Sequence, residues 1–468
     1  MATAISQDQL GSGSDAGPSA VSVGGVWFAL TATLLCVIAP LLLIAAAPLT
    51  PDGSPIWIFA YALSVVVGLR YAWLLADGSR RLFELVVWLF TYVFLGLAPL
   101  VQLRTGRYPA TTPDIDPGLH GAAMAVVAVG VLAFALGLTL AGRDRRGATP
   151  GVRTRLDDLR IVALSVVAVL FSLYYVSRLG VGTLFTTRAE RAGVENALWS
   201  NDTVLAVVKA SATLPLVVAF TALIRLREQR RGLGLKGPAV LPWVVFVVLV
   251  LVMNPISTAR YVAGTAALAV ITALGAASSV HRTRLFALTL AAGLVLIFPY
   301  ADLARRPDPG QSQLNAGPVE VLSSGDFDAF DQINNAVSYV EARGPAEGRQ
   351  LLGSALFWVP RSVWPSKPQD TGIELADHRG YDFKNLSAPL WAEFFINGGW
   401  ALLILGMALL GWGVRRLDER AIAASRTAPG RLVLTSIVPF YFIIMLRGSL
   451  LQSMAGLTVL LVCGAAVS

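Results

Sequence analysis

About twelve apolar stretches constrain this chain more than any other feature, because a helix that crosses a bilayer needs ~20 mostly apolar residues. They lie near 24–47, 56–75, 82–101, 119–140, 161–177, 204–224, 239–254, 261–279, 285–300, 398–413, 432–446 and 451–467. The rest of the composition agrees. Of 468 residues, 55% are hydrophobic and 14% charged, and the mean hydropathy is +0.65. Soluble domains carry about 25% charged residues. So few charges cannot cover a water-facing surface, and so many apolar residues do not stay disordered. The expected fold class is an all-α polytopic membrane protein.

Loop charge sets the expected orientation. With a cytoplasmic N-terminus, the inner loops 76–81, 141–160, 225–238, 280–284 and 414–431 hold 20 Lys and Arg, and the short outer loops hold seven. Both termini are then cytoplasmic. The net charge of +8 is mainly this topology signal and does not point to nucleic acid. Residues 1–23 contain no Lys or Arg, so the first span does not read as a signal peptide. The Gly/Ser-rich start, Gln9 to Ala20, reads as a disordered tail. The organisation is a tail over 1–23, a bundle over 24–300, an external segment over 301–397 and a final bundle over 398–468. Three histidines and two cysteines do not supply a metal cluster, and Cys36 and Cys463 read as small hydrophobes.

The external segment is long enough to carry structure, and such loops are usually functional. In 326–342, Phe327, Phe330, Ile333, Val337 and Val340 fall at helical spacing. Asp326, Asp328 and Asp331 favour the start of that helix. A second helix, Arg349 to Val359, should stop at Pro360. Three prolines within 360–368 predict a stiff extended path that fixes Arg361, Trp364 and Lys367. Residues 390–397 predict an amphipathic helix on the outer membrane surface.

Cations gather at the same face. They are Arg178, Arg188 and Arg191 after the fifth span, Lys209 inside the sixth, Arg260 after the Asn254-Pro255 break, Arg361, Lys367 and Arg447. An intramembrane cation is a functional hypothesis by default. Arg forks match phosphate oxygens and stay charged. Such a cluster suits a diphosphate whose tail remains in lipid, with Trp364, Trp391, Phe394 and Phe395 available to sugar faces or to the interface. Arg70, near the inner end of the second span, is expected to snorkel.

These residues resemble a family. Gly348 through Pro368, above all Val359-Pro360-Arg361-Ser362-Val363-Trp364-Pro365-Ser366-Lys367-Pro368, is similar to the large periplasmic loop of Wzy-type O-antigen polymerases, the oligosaccharide repeat unit polymerases. Glu393-Phe394-Phe395-Ile396-Asn397-Gly398-Gly399, Asn254-Pro255 with Arg260, Arg447-Gly448-Ser449, and Leu184-Phe185 with Arg188 and Arg191 resemble the same pattern, over roughly 175–450. The resemblance implies a glycosyltransferase-C-like enzyme of the bacterial inner membrane, acting on its outer side without metal or other cofactor. Its substrates would be two undecaprenyl-diphosphate-linked glycans, a donor chain and an acceptor repeat unit. A flippase and a chain-length regulator would be partners. It implies that Arg188, Arg191, Arg260 and Arg447, with Arg361 and Lys367, bind diphosphate. Trp364, Trp391 and Asn397 would contact sugar or lipid. Glu393 is the expected general base, with Arg260 and Arg188 also catalytic, and His378, Asp328 and Asp331 are the other bases considered. Related ligases use a His near the loop exit, which this chain lacks. An O-antigen ligase and a lipid-oligosaccharide flippase are the competing readings.

Overall fold

The computed structural model describes residues 23–143, 156–294, 317–427 and 431–467. The expected N-terminal tail and the start of the external segment lie outside them. Among the described residues the chain is all-helical, and eight helices are long and apolar enough to cross a membrane. These are α1 (Val23–Ala46), α2 (Trp57–Asp77), α3 (Leu82–Thr105), α4 (Pro117–Gly142), α5 (Asp158–Leu179), α7 (Asp202–Gly232), the apolar part of α15 (Leu390–Thr427) and α18 (Leu450–Val467). The molecule is a polytopic helical membrane protein. Three other expected spans appear as shorter apolar helices: α8 (Leu241–Val252), α9 (Arg260–Ala273) and α17 (Val438–Arg447), the last preceded by the short α16 (Arg431–Thr435). Pro255 and its neighbours break the chain between α8 and α9, so neither reaches the length of a full crossing. The stretch at 285–300 begins within α10 (Val280–Ala292), and from 295 it lies outside the described residues.

Sequence explains the placement of α3. Between Glu84 and Arg104 it is apolar on every side apart from Thr91, Tyr92 and Gln102, and it is buried along its length. Its N-terminus is held by a remote carboxylate: Asp418 of α15 accepts from Phe83 N (3.0 Å) and Glu84 N (2.9 Å). Arg70 does not merely snorkel. It pairs with the buried Glu84 and lies 4.7 Å over the Trp73 ring. Both α1 and α3 contain a π-helical turn, Thr33–Ile38 and Thr91–Leu97, separated by one alanine from Pro40 and Pro99. Proline lacks an N–H and crowds the preceding turn, and the wider turn accommodates it.

Helices α4 and α15 cross closely because small residues face each other. A Cβ on Gly137 would stand 1.9 Å from the Ala408 carbonyl oxygen, and one on Gly411 would stand 2.1 Å from that of Phe134. Further along, α15 kinks at Gly398 and Gly399. Gly399 takes φ 58° and ψ −147°, which side-chain-bearing residues avoid.

The described part of the segment expected to be external, residues 317–397, joins the bundle core. It comprises α11 (Pro318–Leu322), α12 (Ala329–Arg343), α13 (Arg349–Ala355) and α14 (Thr371–Arg379). Phe327, Phe330, Ile333 and Val337 are buried as their spacing requires, and Phe327 stacks on Phe94 of α3 at 5.2 Å. Two expectations change. Residues 360–368 form turns, with Val363 N and Trp364 N both donating to Pro360 O at 3.0 Å. The chain folds around Lys367, whose ammonium donates to Phe357 O (2.6 Å) and Val359 O (3.0 Å). Residues 390–397 do not form an amphipathic surface helix. Leu390, Trp391, Glu393, Phe395, Ile396 and Asn397 are all buried, because this half of α15 packs against α4 and α12.

Candidate functional site

The break at 254–258 organises one group of side chains. Asn254 Oδ1 accepts from Ile256 N (3.1 Å), and its Nδ2 donates to Leu184 O (2.9 Å). Ser257 Oγ also donates to Leu184 O, at 2.8 Å. The turn Gly182–Phe185 is thereby tied to the break, and Thr187 starts α6 (Arg188–Leu198) with a capping box to Glu190. One helical turn on, Arg191 faces inward. Its guanidinium donates to Glu195 (2.9 Å), Ser257 Oγ (3.0 Å), Thr258 Oγ1 (3.2 Å) and Tyr175 OH (3.2 Å). Lys209 pairs with the other Glu195 oxygen at 2.5 Å. Burial pushes the Glu195 carboxyl up, but Lys209, Tyr175 and Arg191 together hold it below the ordinary carboxylate range. Arg191 and Lys209 thus share one buried acid, and the group keeps a net positive charge. Arg188 and Arg178 point outward and are exposed.

A second group forms at the turn after α17. Arg447 and Arg260 converge on Asp326, one carboxylate oxygen each, at 3.7 and 3.2 Å. Arg447 also donates to Gly325 O and Asp326 O, both at 3.0 Å, and to Asp328 at 3.4 Å. The side chains of Arg260, Arg447 and Asp326 keep 20%, 16% and 30% of their exposure, so this cluster still meets solvent. Behind it, Asp328 and Asp331 are buried. Burial pushes both carboxyls up. Arg447 opposes that for Asp328, and Asp328 reinforces it for Asp331.

Glu393 stands at the far end of the same turn. It is fully buried, and its oxygens accept from Leu450 N (3.0 Å) and Thr371 Oγ1 (2.9 Å). It caps the start of α18 and ties α14 to it. Asn397 Oδ1 accepts from Gln350 N (3.0 Å) and Leu351 N (3.3 Å), so it fixes the start of α13. Ala388 N donates to Arg447 O at 3.2 Å. The turn 447–450 therefore links the arginine pair to the Glu393 cap.

The structure brings Arg260, Arg447, Asp328, Asp331 and Glu393 to this neighbourhood and places the other expected residues elsewhere. Trp391 is buried among α3, α4 and α15, and its indole donates to Val127 O at 3.2 Å. It offers no face to a sugar. Arg361 donates to Lys367 O (2.6 Å) and Pro368 O (3.2 Å), so it and Lys367 hold their own loop. Trp364 is half-buried against Ser366. His378 lies between α12 and α14, 3.2 Å from Ser338 Oγ, and burial with Arg343 and Arg379 lowers its pKa. Sequence reading missed Glu195 and Asp326. Glu195 was accessible as the i+4 partner of Arg191. Asp326 meets Arg447 from 121 positions away, and no local signal marks it. Among the described residues, no group of three or more His, Cys, Asp or Glu is placed to hold a metal ion. Comparison with family models, with curated proteins and with solved structures found no match.

Proposed function

We propose that the chain is a membrane glycosyltransferase that polymerises oligosaccharide repeat units carried on undecaprenyl diphosphate, on the outer side of the bacterial inner membrane. The observation that supports this best is the partly exposed pair Arg260 and Arg447, supplied by separate helices and sharing the Asp326 carboxylate. An anion already sits between these two forks. A donor diphosphate is a stronger anion of similar reach and takes its place.

In the reaction so read, a hydroxyl of the acceptor repeat unit attacks the anomeric carbon of the donor glycan. The new C–O bond forms as the bond to diphosphate oxygen breaks, and undecaprenyl diphosphate departs with the electron pair. Arg260 and Arg447 stabilise the charge that accumulates on the leaving group. The hydroxyl proton needs an acceptor. Glu393 has both oxygens engaged inside the protein, and His378 lies between α12 and α14. Asp326 is the carboxylate that is both accessible and beside the arginines. Once diphosphate takes over the two guanidiniums, the Asp326 oxygens are released from them and face the acceptor hydroxyl. Reconstitution with one lipid-linked repeat unit tests the reading. A ladder of products is expected, and a single transfer or none would overturn it.

A further inference from the structure

We propose that residues 349–364 form a surface anchor that seats the external segment in the phospholipid of the outer leaflet. Position carries the first part of the argument. Gln350 N and Leu351 N donate to the Asn397 side chain, and Gly348 N donates to Asn397 O at 2.9 Å. Helix α13 is thus fixed level with the kink of α15. The half of α15 before the kink is buried. Directly after it an exposed apolar face begins, with Trp400, Ile404, Leu405 and Leu409 each at least 44% exposed. That face is the lipid-contacting surface of a span, so Trp400 marks its outer edge. Helix α13 sits at this edge and packs on α15 and α18, both of which cross the membrane.

Chemistry carries the second part. Leu352 is 51% exposed, Trp358 60% and Val363 74%. These three fall in one short stretch, where water alone would leave an apolar patch uncovered. The stretch Arg349–Pro368 contains Arg349, Arg361 and Lys367 and no Asp or Glu, although acids are frequent in the rest of the external segment. Arg349 and Arg361 are exposed. Apolar side chains with an indole among them, flanked by cations and free of acids, match the boundary between acyl chains and phosphate headgroups. A partner protein or the glycan would not require the patch to sit level with the lipid-facing edge. The proposal stands independently of the glycosyltransferase reading.

Nitroxide accessibility tests it on the full chain in vesicles of phosphatidylethanolamine and phosphatidylglycerol. The background carries Cys36→Ala and Cys463→Ala, and the label sites are Leu352→Cys, Trp358→Cys and Val363→Cys. Lys384→Cys is the aqueous control, since Lys384 is 57% exposed on the same external segment. Collision with oxygen relative to a neutral nickel complex should be several-fold higher at the three sites than at the control. Values equal to the control overturn the proposal. So does exclusion of both reagents, which would mean a protein contact. The three label sites are exposed, whereas Cys36 is buried, so gel-filtration elution and melting midpoint matching wild type are required of the cysteine-free background and of each labelled variant.

Discussion

Substituting Glu393 by glutamine separates a capping role from a proton-accepting one. The carboxylate accepts two hydrogen bonds, from Leu450 N and Thr371 Oγ1, and is fully buried. In Glu393→Gln the amide oxygen still accepts from Leu450 N, and the new NH₂ can donate to Thr371 Oγ1, which is able to accept. The expected cost is about 1 kcal/mol, the worth of one weakened hydrogen bond. Glu393→Ala removes both bonds and strands the Leu450 N–H, which costs about 2–4 kcal/mol by the same scale. Thermal unfolding in detergent, followed by intrinsic fluorescence, should rank them wild type, Gln, Ala. Repeat-unit transfer by the glutamine variant should stay within a few-fold of wild type. A loss of ~10² or more with an unchanged unfolding midpoint would refute the capping argument and make Glu393 the base.

The companion variant Asp326→Asn should fold normally and lose ~10²–10⁴ of transfer activity, measured by product ladders from one lipid-linked repeat unit. Glu195→Gln should destabilise by about 3–5 kcal/mol, because Arg191 is left buried without its counter-charge. Lys209→Met should cost under about 1 kcal/mol, since the Lys209 side chain is 46% exposed, and thermal melts of the two variants compare them directly. The Asp331 carboxyl, facing Thr112, Asp328 and Tyr108, is held well above its ordinary value by burial and Asp328. The folded state therefore keeps a proton that the unfolded chain releases. Stability from this group is full below the ordinary range near 4 and falls as pH rises toward the raised value. Hydrogen exchange of 317–397 should quicken across that window, and Asp331→Asn should flatten the response. Gly137→Ala should destabilise by about 1–3 kcal/mol, because its Cβ would meet Ala408 O at 1.9 Å, and a lowered melting midpoint in detergent checks it.

Local pattern made much of the fold legible. The long apolar runs that became α1 to α5, α7, α15 and α18 needed only length and hydropathy. The spacing of Phe327, Phe330, Ile333, Val337 and Val340 marks a face whose first four members are buried and whose last, Val340, is half-buried. Partnerships across the chain were not legible. Arg70 found Glu84, Asp418 found the start of α3, and Arg447 found Asp326, none at a spacing that helix geometry marks. The proline-rich stretch misled for a related reason. Pro fixes φ but does not forbid turns, and the buried ammonium of Lys367 supplied a reason to fold that composition does not carry. Of the candidate site, the sequence marked the arginines, but not the acids Glu195 and Asp326 that divide them into two groups.

The short turn from Arg447 to Leu450 has a mechanical consequence. It grips residues 317–397 at two widely separated places, Gly325 to Asp328 through the Arg447 side chain and Ala388 to Glu393 through its own backbone groups. Neither place can lift while the other stays fastened without bending a turn that is itself anchored to a span. The segment is thus fastened as a clasp with one pin: whatever shifts this turn shifts its hold on both places at once.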